Sequence, residues 1–146
     1  MRANELMVDD WVCYSKPNNY YTKVEEIRCT SDGEEYYIRC YRDSKDTFLE
    51  QLKYEDFSVD ILHPIPLTPE ILEKNDFKYG DGYGYSFVKR KELSGDGFEE
   101  EKVYINTALN TLIIYTAASS IHLPIKYIHE LQHALKLCGI EKEIVL

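Results

Sequence analysis

Five consecutive residues, His129-Glu130-Leu131-Gln132-His133, have the types and spacing of a metal-assisted hydrolase. On a helix, residues four apart share a face, so two imidazoles can hold one Zn²⁺. The Glu between them can then take a proton from the metal-bound water. On that reading His129 and His133 are ligands, Zn is the cofactor and Glu130 is the general base. The surroundings argue otherwise. A helical wheel puts Ile128, Leu131, Leu135 and Cys138 on the core stripe and the two histidines almost opposite it. Lys126 and Lys136 flank them on that face, and two cations beside a dication held by neutral imidazoles is poor electrostatics. The longer zinc pattern would need Gly at 136 and His at 139, where the chain has Lys136 and Gly139. The only carboxylates after His133 are Glu141 and Glu143, in a short tail. The motif therefore reads as fortuitous, a solvated helix face with no catalytic residue, no cofactor and no metal. A zinc hydrolase is the alternative.

A second chemical feature is aromatic. The chain holds 13 Tyr against one Trp. Tyr20, Tyr21, Tyr37 and Tyr41 could form a platform for a peptide, a sugar or bases, against the competing reading of half-buried strand packing. Gly80-Asp81-Gly82-Tyr83-Gly84 matches neither phosphate-binding glycine pattern and reads as a turn. Asp9-Asp10 also reads as a turn, because adjacent residues in a strand point to opposite faces.

The elements that would position these residues fall into two halves. Residues 1–63 read as short strands: Leu6 to Tyr14, Tyr20 to Cys29, Glu35 to Arg42, Phe48 to Leu52 and Phe57 to Leu62. Val24 and Ile27 fall on opposite faces of the second, which predicts a bulge between them. Ser31-Asp32-Gly33-Glu34 is a strong turn. In the third strand Tyr36, Ile38 and Cys40 share one face, and Tyr37, Arg39 and Tyr41 the other. Short strands at this spacing suggest a small SH3-like β-barrel or β-meander. His63-Pro64-Ile65-Pro66-Leu67 marks a boundary, since prolines impose extended backbone and avoid central strands.

Residues 64–146 read as an α-β-β-β-α half, giving an α+β chain. Thr68 caps a helix with Pro69 at its first position, ending near Asn75-Asp76. Strands follow at Tyr83 to Arg90, Lys102 to Thr107 and Leu112 to Thr116. A final helix spans 124–138, with Gly139 as its left-handed cap. The tail from Ile140 to Leu146 could add a short strand.

Composition narrows the function. The net charge is −9, with 26 Asp and Glu against 17 Lys and Arg, and neither half is basic. That argues against a grip on nucleic acid phosphates. No apolar run is long enough for a signal peptide or a membrane span. Four widely spaced cysteines then read as reduced thiols in a cytoplasmic protein.

Three segments carry a resemblance. They are Glu5-Leu6-Met7-Val8-Asp9-Asp10-Trp11-Val12, then Ile65-Pro66-Leu67-Thr68 with Ile71-Leu72 and Phe77, and finally Ile125-Lys126-Tyr127-Ile128-His129 with Leu131-Gln132. The chain resembles a group of small uncharacterised proteins common in Bacteroidetes genomes, their phages and mobile islands. The resemblance implies that Glu130 and His133 stand where relatives often carry Gln and Asn, so the metal pair is no family feature. It brings no established activity. The expectation is a non-enzymatic accessory or binding protein with a protein or peptide partner.

Overall fold

A computed structural model describes residues 2, 5–14, 20–33, 35–41, 54–80, 84–92, 98–115 and 119–146. Among these residues the chain is α+β, with two antiparallel five-stranded sheets and two helices. The expected strand from Phe48 to Leu52 lies outside the described residues.

The first sheet holds β1 (Trp11–Cys13), β2 (Tyr21–Cys29), β3 (Tyr36–Tyr41), β4 (Tyr54–Ser58) and β5 (His63–Pro64), in the order β4-β3-β2-β1-β5. The expected bulge in β2 is present, as a register shift between Val24 and Glu26. A 3₁₀ turn at Val59–Ile61 carries the chain from β4 towards β5. Val12, Val24, Ile38, Cys40, Phe57 and Leu62 close a small core on one face. The sheet stays open: among the described residues no pairing joins β4 to β5, so the SH3-like barrel expected from strand spacing is not closed.

The second sheet is a meander of β6 (Lys78–Gly80), β7 (Gly84–Glu92), β8 (Phe98–Asn106), β9 (Thr111–Tyr115) and β10 (Ser120–Pro124). It has five strands where three were expected. β6 was hidden by its length and by flanking glycines, and β10 by a sequence, Ser-Ile-His-Leu-Pro, with little β-branching. Pro124 ends β10 at the sheet edge instead of opening the last helix. That helix runs from Ile128 to Leu137, not from 124 to 138, because Tyr127 is still extended and bridged to Pro66. Gly84 is required where it stands. A Cβ there would lie 2.5 Å from the Tyr104 ring and 2.6 Å from the Ile105 carbonyl.

The two helices pack on one face of this sheet. α1 (Pro69–Lys74) starts as expected, with Thr68 Oγ1 accepting from Ile71 N at 3.4 Å. α2 (Ile128–Leu137) turns Ile128, Leu131 and Leu135 into the main core with Leu72, Phe77, Val103, Ile105, Leu112 and Ile114. Gly139 has φ +70°, the left-handed cap. The tail then forms no strand. Side chains hold it instead: Asn75 donates to Val145 O at 2.7 Å and accepts from Val145 N at 2.8 Å, and Trp11 Nε1 donates to Ile144 O at 2.7 Å. Ile140 and Ile144 are buried in the main core.

β1 joins the two cores. Val12 faces the small core, whereas Cys13 and Trp11 face the main one. The segment after β5 continues onto α2, with Ile128 N donating to Ile65 O and Leu67 N to Lys126 O. This arrangement brings the turn at residues 7–10 against the outer face of α2.

Candidate functional site

The outer face of α2 is covered. His129 is 4% exposed, which corrects the expectation of a solvated helix face. The wheel located the histidines correctly relative to the sheet. The wheel carries no information about the N-terminal turn that packs on the opposite side.

Asp10 is the residue that sequence reasoning missed. It sits at the entrance of β1 and is 2% exposed. Its Oδ2 accepts from Met7 N at 2.7 Å, closing the turn, and Asp9 takes the left-handed backbone (φ +74°) that the turn requires. The Asp10 carboxylate then receives His133 Nε2 at 2.9 Å and 2.8 Å, one distance to each oxygen. Gln132 adds a second clamp: its Oε1 accepts from Trp11 N at 3.1 Å and its Nε2 donates to Asp9 O at 3.0 Å. Helix and turn are thus locked by side chains reading backbone and carboxylate. The local signal for Asp10 was the Asp-Asp turn itself, but its partner lies 123 residues away.

Glu130, the alternative general base, is used otherwise. Its Oε2 accepts from Lys126 N at 2.6 Å and from Tyr127 N at 3.1 Å, satisfying two amides ahead of the helix. His133 offers Nε2 to Asp10. His129 stacks on Tyr127 (ring centroids 5.8 Å, 9°) and meets His133 edge-on at 5.8 Å. Burial pushes the His129 imidazole below its ordinary pKa, against the opposing fields of Asp10 and Glu130. Its Nδ1 is buried with no hydrogen-bond partner. Among the described residues no group of three His, Cys, Asp or Glu side chains converges on a metal position. A zinc ion bound at His129 and His133 would have to take its remaining ligands from outside that set.

Two cavities meet at His133. The larger, about 540 Å³, is lined by Met7, Asp10, Lys23, Lys136 and Ile140 among others. Its charges are mixed, and Lys23 is already paired with Glu143. The smaller, about 340 Å³, is lined by Glu5, Pro64, Tyr127, His129, Glu130 and His133.

The tyrosines lie on the other sheet. Tyr20, Tyr21, Tyr37 and Tyr41 are 52%, 44%, 40% and 49% exposed. They do not form one cluster. Tyr37 and Tyr41 alternate with Arg39 on the outer face of β3, opposite buried Ile38 and Cys40. Tyr21 has the same outward parity in β2. Tyr20 belongs to the inner side, stacked on Tyr14 at 5.5 Å, which stacks in turn on Phe57 at 4.9 Å. Arg39 is held between Asp56 (2.8 Å) and Glu26 (3.5 Å), so the cation between Tyr37 and Tyr41 is paired.

Comparison with known proteins finds no matching family model, curated protein or solved structure. No helix among the described residues is long and apolar enough to cross a membrane.

Proposed function

We propose that this is a non-enzymatic binding protein that takes a protein or peptide partner on the outer face of its first sheet. One observation carries the reading: Tyr21, Tyr37 and Tyr41 stand 40–49% exposed on that face, although the chain has cores to bury them in. Tyrosine presents large amphipathic area at little entropic cost, the property that enriches it in recognition surfaces. Arg39, paired with Asp56 and Glu26, fills the position between Tyr37 and Tyr41 on the strand. With a net charge of −9, nucleic acid is disfavoured as the partner. The strand order, the kink at the β2 bulge and the 3₁₀ turn before β5 fit an opened SH3-like barrel, a scaffold suited to binding. The cysteines are thiols and not disulfides, which suits the cytoplasm. The resemblance to phage and mobile-element proteins of Bacteroidetes suits an accessory role. The hydrolase alternative loses support from the geometry, since Glu130 caps a helix and His133 Nε2 is taken by Asp10.

Selection of peptide ligands from a displayed random library tests the proposal. Selected peptides are expected to perturb the ring signals of Tyr37 and Tyr41. Binding should fall about tenfold or more in Tyr37→Ser/Tyr41→Ser, with the melting temperature unchanged. Ligands whose binding ignores that double substitution would refute the assigned face.

A further inference from the structure

An edge strand offers its amides and carbonyls to any strand that can approach, and proteins blunt such edges with charge, brevity or proline. Among the described residues the sheet edges are β4 and β5 in the first sheet and β6 and β10 in the second. β4 carries Asp56, β5 is two residues long, and β6 is three residues long and carries Lys78. β10 is different. It runs for five residues, Ser120-Ile121-His122-Leu123-Pro124, with no Asp, Glu, Lys or Arg. Ser120, Ile121, His122 and Pro124 are exposed, Ile121 by 39%. Only Pro124, at its last position, acts against pairing with a further strand.

The ladder fixes where the backbone of this edge points. β10 pairs with β9 from Ser120↔Tyr115 to Pro124↔Thr111, and Ile125 N donates to Asn110 O at 2.8 Å just beyond it. Bonded and non-bonded positions alternate in an antiparallel pair. Ile121 and Leu123 therefore turn their backbone groups to β9, whereas Ser120, His122 and Pro124 turn theirs outward. A second copy of the same edge, antiparallel and with His122 on the two-fold axis, fits that pattern. The two His122 residues exchange N–H and C=O, and the Ser120 amide of each copy donates to the Pro124 carbonyl of the other. Pro124 lacks an N–H, but at the end of the strand this pairing leaves only the Ser120 carbonyl to water. The same register sets Ile121 of each copy opposite Leu123 of the other, so apolar side chains meet on one face. No like charges oppose one another along the strand, although the chain carries a net charge of −9. We infer that the protein pairs with a second copy of itself through the β10 edges, antiparallel about His122, which joins the two second sheets into one. Such a contact is isologous, uses both edges and closes at the dimer. It lies on the second sheet and does not depend on the reading of the tyrosine face.

The test is sedimentation velocity of the full chain over a range of concentrations, from about 10 μM to about 1 mM. Pairing through one short strand buries less than a standard interface, so a monomer–dimer equilibrium with a Kd of about 0.1 mM is expected. His122→Glu sets two carboxylates across the axis and should weaken the dimer about tenfold or more. His122→Lys should do the same with two ammonium groups. His122 is exposed, so both variants should keep the wild-type melting temperature in dilute solution. An equimolar mixture of the two variants should recover the dimer, because opposite charges then meet on the axis. Tyr37→Ser/Tyr41→Ser, on the first sheet, should leave the dimer unchanged. The inference is overturned if the chain remains monomeric up to about 1 mM, or if its mass grows past the dimer. It is also overturned if His122→Glu dimerises like wild type, or if the mixture of Glu and Lys variants stays monomeric.

Discussion

Removing the Asp10–His133 contact should cost this protein much of its stability. Asp10 is 2% exposed and serves two donors, Met7 N at 2.7 Å and His133 Nε2 at 2.8–2.9 Å. Asp10→Ala forfeits a hydrogen bond to a charged group, about 1.5–3 kcal/mol, and leaves the Met7 amide unmade for about 1 kcal/mol more. The expected loss is about 2.5–4 kcal/mol, from those two terms. His133→Ala removes the other partner and strands a carboxylate in the interior, at about 3–5 kcal/mol. The double variant strands nothing further, so the two losses should not add. A coupling of about 1–3 kcal/mol is expected for groups in direct contact. Urea unfolding at neutral pH, followed by circular dichroism, measures all three. The reasoning fails if either single variant loses less than about 0.5 kcal/mol, or if the losses add to within about 0.3 kcal/mol.

Three further outcomes follow from the same geometry. His129 has its pKa depressed by burial, so the unfolded chain takes up a proton there before the folded chain does. Its contribution to stability is full above the unfolded value of about 6.5 and declines as pH falls through it. The urea midpoint of wild type should drop over that range, and His129→Leu should flatten part of the slope. Glu130→Ala should cost about 1–2 kcal/mol through two unsatisfied amides, whereas Glu130→Gln should stay near wild type; thermal melts of both variants distinguish a cap from a spectator. Asn75→Ala breaks three contacts, to Ile71 O, Val145 O and Val145 N. It should lower stability by about 2–3 kcal/mol and make the tail after Gly139 the first site cut in limited proteolysis.

How much of this was legible beforehand depends on the range of the interaction. Thr68 with Pro69, the left-handed Gly139, the bulge between Val24 and Ile27 and the alternation along Tyr36–Tyr41 all rest on neighbours within a few residues, and each is found in place. Short edge elements were not legible. Lys78–Gly80 and Ser120–Pro124 have weak strand character of their own and exist because β7 and β9 offer them a ladder. The last helix was drawn too long for the same reason. Nothing local prevents a helix from starting near Pro124, but pairing with β9 and the Pro66 bridge hold that stretch extended.

The candidate site divides along the same line. Periodicity placed His129 and His133 together on a helix and kept them off the sheet, because a helical face is set by a rotation of about 100° per residue. Alternation in the same way turned Tyr37 and Tyr41 outward. What covers a face is decided by distant chain. The turn at residues 7–10 sets Asp10 on His133 and offers the Asp9 carbonyl to Gln132. Those contacts span more than a hundred residues, and their energy appears only once two cores share β1. Helical spacing alone brings these residues together on α2; long-range packing then makes Glu130 a cap, His133 a partner for a buried acid, and His129 a buried ring stacked on Tyr127.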